Sequence, residues 1–166
     1  MKKQQITKQI RIVMIFFMVA LTLSGATAIP VEWELNHLLP LLTTNNKLAE
    51  LLSKVLQGIR ETNKQYPFLL YGYDWLAFAH FIIAILFIGV IRNPVKNIWV
   101  VEFGILACFL LIPFAIIFCA VRELPFWWSI IDSGFGIFGM APLLWVRNSI
   151  LHLEKLEAED KLNTIF

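Results

Sequence analysis

Charged side chains are scarce in this sequence. Only 16% of the 166 residues carry a charge, against about 25% in soluble domains, whereas 58% are apolar. The formal net charge of +2 is too small to indicate a nucleic acid as partner. The composition therefore argues against an ordinary water-soluble domain and predicts a membrane protein whose main partner is the lipid bilayer.

Cysteine and histidine are too few for the sites that they commonly build. Cys108 and Cys119, the only two cysteines, lie on one predicted helix. Their separation would be about 16 Å, beyond the limit of about 7 Å for a disulfide. The lack of a Cys-x-x-Cys pair also argues against the four-helix thiol oxidases that use quinone.

The three histidines, His37, His80 and His152, lie on opposite sides of the membrane or at different depths, so we predict no metal site and no bis-histidine haem. Haem bound by His80 alone stays open.

The short motifs of familiar enzymes are also missing. The sequence has no glycine loop of the Walker type, no Gly-x-Ser-x-Gly and no His-Glu-x-x-His. Residues 134–139 match Gly-x-Gly-x-x-Gly by letter, but they lie in an apolar run with no strand before them, so the dinucleotide-binding interpretation fails. We predict no catalytic residue and no cofactor.

Long apolar runs are what the sequence does have. Four of them, at about 10–30, 73–91, 98–120 and 126–146, have the length of about 20 residues that crosses a bilayer. We predict an all-α membrane protein, a four-transmembrane-helix bundle forming a single membrane domain, 1–166. The first run ends in Ser24-Gly25-Ala26-Thr27-Ala28, so a signal peptide with an Ala-x-Ala site is the alternative. We expect an uncleaved helix because the run reaches span length.

The segment 31–70 is the only long polar stretch before the C-terminal tail. Its apolar residues recur at helical spacing and are Leu48, Leu51, Leu52, Val55, Leu56 and Ile59. Charged residues take the other face, which predicts an amphipathic helix opened by Thr44, Asn45 or Asn46. A shorter interfacial helix is expected before Pro40. The amphipathic helix either packs on the membrane domain, lies at the interface, or binds a partner.

Basic residues are distributed unequally about the predicted spans. Nine lie on the side of the termini and the 92–96 turn, and five lie on the other side. The positive-inside tendency places both termini and the tail 147–166 in the cytoplasm, and the amphipathic segment outside it. All six tryptophans fall at predicted span ends, as expected for aromatic residues at membrane interfaces.

Four ionisable residues interrupt the predicted spans, and their cost in lipid makes them functional candidates: His80, Asp132, Asp74 and Glu102. His80 and Asp132 would each lie about 9–11 Å inside the outer ends of their spans. They could form a structural hydrogen bond or a pair that handles protons or a ligand. A small-residue face on the fourth span would let the helices approach; it consists of Ser129, Asp132, Ser133, Gly136 and Gly139 or Met140.

Asp74 and Glu102 would lie nearer the membrane surfaces. Asp74 is expected to cap the second span or to pair with Arg122. Glu102 is expected to form an ion pair, with a substrate or ion site as the alternative. The available partners of Glu102 are Arg92, Arg147 and Arg11.

A resemblance to other proteins rests on several stretches of the chain, at 24–32, 61–62 with 66–68, 71–80, 92–104 and 131–136. Together they resemble a group of small bacterial membrane proteins with the same layout. The resemblance implies an uncleaved first helix and a bacterial inner membrane. It implies no activity.

These patterns predict a non-enzymatic accessory or interaction protein. It would bind a protein partner, or a second copy of itself, through the outer amphipathic helix or the small-residue face of the fourth span. One alternative is a small proton-coupled transporter that uses His80 and Asp132. The other is a membrane enzyme acting on lipid or quinone, with Asp74 and His80 as acid and base.

Overall fold

The computed structural model describes residues 2–42 and 46–165, and these residues form helices and short connections without a strand. The helices are α1 (Lys2–Ala28), α2 (Val31–Leu38), α3 (Lys47–Gln65), α4 (Tyr71–Leu86), α5 (Ile88–Arg92), α6 (Ile98–Val121) and α7 (Phe126–Ile165). Two short 3-10 helices, Leu39–Leu41 and Pro67–Leu69, follow α2 and precede α4.

Four helical stretches are long and apolar enough to cross a membrane: Lys3–Ala28, Pro67–Arg92, Ile98–Val121 and Phe126–Asn163. In their most apolar 18-residue windows only 17% to 28% of the residues are buried. The remaining apolar side chains face outward, as they can where lipid is the solvent. The prediction of an all-helical protein with four candidate spans is confirmed.

The helix that contains the fourth candidate span is longer than the span predicted at about 126–146. α7 continues through the predicted tail as one helix of 40 residues, which is about 60 Å long. This is about twice the thickness of the hydrocarbon layer. The sequence after Val146 changes from apolar to charged, but it contains no proline or glycine that would end a helix.

Contacts divide the chain into two compact units. The first contains the described residues of 1–18 and 86–166, and the second contains those of 19–85. α1 and α4 each contribute to both. The single membrane domain stays a prediction.

The core of the first unit is an apolar seam along α7, where buried residues recur every three or four positions. Leu143, Val146, Ile150 and Leu153 are at most 3% exposed. The other buried residues of this core come from α1, the α5 region and α6; they are Ile10, Met14, Phe87, Val90, Val100 and Val101. The seam follows the 3.6-residue period of the helix, so one face of α7 packs inward.

A tight turn joins α6 to α7 and makes them an antiparallel hairpin. Glu123 adopts a φ of 56°, in the left-handed region that non-glycine residues rarely occupy. The Leu124 amide donates to the Cys119 carbonyl at 2.9 Å, which satisfies one of the free carbonyls at the end of α6. Pro125 directly precedes α7, and proline is favoured at the start of a helix.

In the second unit, α3 buries its apolar face on α2 and the adjoining 3-10 helices. Leu52, Leu56 and Ile59 are buried there, together with Leu35 of α2. The predicted cap at Asn46 is confirmed, because its Oδ1 accepts a hydrogen bond from the Leu48 amide at 3.0 Å. The other capping candidates, Thr44 and Asn45, lie outside the described residues.

Candidate functional site

His80 lies on α4 and is half-buried. Its Nδ1 is 2.7 Å from the carbonyl oxygen of Leu76, one turn earlier on the same helix. If Nδ1 carries the proton it donates to that carbonyl, which leaves Nε2 as the second functional atom of the ring. The helix of His80 therefore satisfies one side of the imidazole without a partner from another helix.

Gly25 of α1 makes a close approach to this part of α4 possible. A Cβ at Gly25 would lie 2.6 Å from the His80 Cβ and 3.0 Å from the Ala77 carbonyl oxygen. Only glycine leaves room for two helix backbones at this distance. Gly25, within the small-residue sequence at the end of the first apolar run, thus serves the packing of α1 against α4.

Asp132 lies on α7 and is half-buried. Its Oδ2 is 3.9 Å from the Cys119 Sγ of α6, and a thiol is a weak donor. Trp128, one turn earlier on α7, also interacts with the carboxyl group. His80 and Asp132 belong to different compact units, so the predicted pair between them stays a prediction.

The small-residue face of α7 packs against α6 within the chain. A Cβ at Gly136 would lie 2.6 Å from the backbone oxygen of Cys108, and a Cβ at Gly139 would lie 3.2 Å from the Cys108 Sγ. Ser129, also buried, donates its hydroxyl to the Phe126 carbonyl at 2.7 Å. This face therefore supports the α6–α7 hairpin.

Glu102 pairs with one of the three arginines expected for it. The Arg147 Nε lies 2.9 Å from the Glu102 Oε1, which joins α6 to α7 near the start of α6. Arg11 is used elsewhere, since its Nε donates to the Ile91 carbonyl at 3.0 Å. Both partners of the ion pair are partly exposed, at 46% and 39%. The contact is an interhelical ion pair near a helix end.

Asp74 lies in the first turn of α4 and is exposed. A carboxylate there interacts favourably with the positive end of the helix dipole, as expected for a residue at a helix start. Arg122, its predicted ion-pair partner, belongs to the other compact unit, so that pair stays a prediction.

An open cleft in the second unit was not visible to sequence analysis. It has a volume of about 400 Å³ and is lined by Ile29, Pro30, Val31, Glu32, Trp33, Asn36, Ile59, Asn63 and Leu70. Beside it, Arg60 of α3 pairs with Glu32 of α2 at 3.3 Å and donates to the Asn36 side chain. The charges of Arg60 and Glu32 were the only sequence signal, but their pairing spans 28 residues and depends on how α3 packs.

Among the described residues no three His, Cys, Asp or Glu side chains converge in a way that could hold a metal ion. In the same residues no buried side-chain nitrogen or oxygen lacks a hydrogen-bond partner. No family model, curated protein or solved structure matches this chain.

Proposed function

We propose that this chain is a non-enzymatic interaction protein of a bacterial inner membrane, with both termini in the cytoplasm. Its binding surface is the outer layer, defined as α2, α3 and the 3-10 helix Leu39–Leu41. The unequal distribution of basic residues supports this orientation. The outer layer would then face away from the cytoplasm, where it can bind a second membrane protein or an extracytoplasmic one.

Trp33 is the observation that carries the proposal. It lines the open cleft, yet its side chain is 62% exposed. Its ring packs on the His37 ring with centroids 4.2 Å apart, and the His37 Nδ1 is 2.8 Å from the Trp33 carbonyl oxygen. The indole is therefore held in place without being covered. Tryptophan residues in such positions commonly dominate the energy of protein interfaces.

The apolar face of α3 is not the proposed binding surface, because α3 already uses it inside the unit. Leu52, Leu56 and Ile59 are buried. What the outer layer offers a partner is the cleft, the Trp33 ring and exposed leucines further along the chain. These leucines are Leu38, at 43% exposure, and Leu41, at 80%.

Two polar residues of the candidate spans have partners that support structural roles. The His80 Nδ1 lies against a carbonyl oxygen of its own helix, and Glu102 pairs with Arg147. Such local partners are typical of polar side chains that stabilise packed membrane helices.

Site-specific photocrosslinking in the native membrane tests this proposal. A photoreactive amino acid at position 33 should yield a discrete protein adduct, because the side chain would lie in the interface. Position 145 is the matched control, since Trp145 is also exposed, at 43%, but lies on α7. Equal adducts at both positions, or none at position 33 in a folded protein, would contradict the proposal.

A proton-coupled carrier is the second candidate, and Asp132 is the observation that favours it. This carboxyl group lies within a candidate span, where its partners are the Cys119 thiol, at 3.9 Å, and the Trp128 side chain. Ionisable residues with weak partners in spans often take part in proton movement. Proteoliposomes should then show proton-coupled uptake that is lost in Asp132→Asn and His80→Ala. Uptake that survives both substitutions would reject this candidate.

A further inference from the structure

A groove between the first turns of α1 and the last part of α7 carries an excess of positive charge. Its volume is about 360 Å³, and it is lined by Lys3, Gln4, Thr7, Lys8, Arg11, Leu153 and Glu157. The residues from α1 follow helical spacing, so they share one face of its first turns. All of them belong to the first compact unit.

The cationic side chains of this groove differ in their ion-pair and hydrogen-bond partners. Lys3 pairs with Asp160 on α7. Arg11 uses its Nε on the Ile91 carbonyl, and its two Nη nitrogens have no acceptor among the residues that the structure describes. Lys8 is exposed and forms no ion pair with any residue that the structure describes. The groove thus presents two cationic groups to an anionic ligand, against one lining carboxylate, that of Glu157.

The floor of the groove is apolar and buried. Leu153 is 3% exposed, and the adjacent core residues Ile10 and Ile150 are fully buried. The charged rim therefore stands on a packed helix contact, so its position does not depend on a loop.

The face of α1 that carries the cations continues into an apolar stripe. Ile12, Ile15 and Phe16 follow Lys8 and Arg11 at helical spacing and are 56%, 51% and 72% exposed. They lie in a candidate membrane span, where they would border lipid tails. A ligand with an anionic head and an apolar tail would match this surface along its length.

We propose that the groove between α1 and α7 binds the phosphate headgroup of an anionic phospholipid, with an acyl chain along Ile12, Ile15 and Phe16. Lys8 and Arg11 contact the phosphate, and Thr7 and Gln4 lie within the same lining to meet the glycerol oxygens. Basic pockets between membrane helices commonly take such headgroups. The proposed lipid site lies on α1 and α7, so it is independent of the partner proposed for the outer layer.

Native mass spectrometry of the full chain in detergent, titrated with phosphatidylglycerol, tests the proposal. The wild type should retain phosphatidylglycerol in preference to phosphatidylethanolamine, whose headgroup has no net charge. Lys8→Gln with Arg11→Gln should weaken retention by about 30-fold, which corresponds to about 2 kcal/mol for two interfacial cations. Lys155→Gln with Lys161→Gln is the matched control, because it removes the same charge from exposed positions on α7 outside the groove.

Equal loss in both double variants would show attraction by net charge alone and would overturn the proposal. So would displacement of the lipid by inorganic phosphate at an equal concentration, since the acyl chain would then add nothing to the affinity. Glu157→Gln guards against misfolding of the double variant, because it removes the opposing carboxylate without touching the cations. It should strengthen retention about fivefold, by a charge effect of up to about 1 kcal/mol, and unchanged or weaker retention would contradict the groove as the site.

Discussion

The α6–α7 hairpin and the α2–α3 pair are both made of two packed helices, but different features hold them together. In the hairpin, Gly136 lets α7 approach the backbone of α6 at Cys108. In the α2–α3 pair, leucines of an amphipathic face are buried and Arg60 pairs with Glu32. No glycine of the α2–α3 pair makes such an approach, since a Cβ at Gly58 would meet nothing within 4 Å.

The proposed membrane placement explains the difference. Lipid tails are as apolar as leucine, so burying a leucine between two spans gains little transfer free energy, and close van der Waals packing must hold the helices. In that placement the charges of α3 would keep it outside the hydrocarbon, where burial of apolar surface is itself the driving force. Small residues matter most in the first pair, and large apolar residues matter most in the second.

The largest expected effect is that of Leu56→Ala in α3. Leu56 is 7% exposed, so the substitution loses transfer free energy and leaves a cavity, at a cost of about 2–5 kcal/mol. Leu143→Ala in α7 should cost only the lower end of that range, about 2 kcal/mol. The separated helices would be solvated by lipid and not by water, so less transfer free energy is lost. Thermal unfolding of the full chain in detergent measures both, with hydrogen exchange over 47–65 for Leu56→Ala and over 126–165 for Leu143→Ala.

Val55→Ala is the control for that comparison, because Val55 lies on the same helix and is 37% exposed. It should change stability by less than about 0.5 kcal/mol. A larger loss of stability from Leu143→Ala than from Leu56→Ala would contradict the comparison. It would mean that apolar burial stabilises the hairpin as strongly as it does in water.

Gly136→Ala should destabilise the hairpin by about 1–3 kcal/mol. The added Cβ would lie 2.6 Å from a backbone oxygen, which cannot move without separating the helices. Gly134→Ala on the same helix is the control, because its Cβ would meet only the Phe138 ring, at 3.7 Å or more. Similar melting temperatures for the two variants would show that the close approach is not needed.

Glu123→Gly should stabilise the hairpin by about 1 kcal/mol. Glu123 holds a φ of 56°, which costs a side-chain-bearing residue about that much and glycine very little. The melting temperature should rise, whereas Glu123→Ala should leave it nearly unchanged because alanine keeps the Cβ. A fall in the glycine variant would mean that the glutamate side chain stabilises the turn.

The smallest expected effect is a pH dependence in α3. The Lys54 ammonium hydrogen-bonds to the exposed Glu50 carboxylate and attracts its charge, and both effects lower the pKa of Glu50. Since the pKa is lower in the folded chain, the contribution to stability is present above the unfolded pKa of about 4.3 and is lost as pH falls through the folded value. Comparing wild type with Glu50→Gln across that range by thermal unfolding should show a small difference at neutral pH that vanishes in acid. A difference that persists in acid would show that the effect does not come from this charge.

Local features of the sequence were enough to predict the spans and the amphipathic helix, because each depends on periodicity within one segment. Asn46 as a cap followed from the same reasoning. The same reasoning could not choose Arg147 among the three arginines available to Glu102, because that choice depends on the register between α6 and α7. The cleft beside Trp33 and the groove of Lys8 and Arg11 likewise join segments that are distant in the chain.

Local patterns in the sequence predict a helical protein with four stretches that suit a membrane, because hydropathy and helical period act over neighbouring residues. The packing of the helices is needed to establish which glycines bring backbones together and which arginine neutralises Glu102. These outcomes depend on the relative rotation and register of packed helices, and many arrangements share the same local pattern. The basic groove belongs to the same class, since neither α1 nor α7 forms it alone.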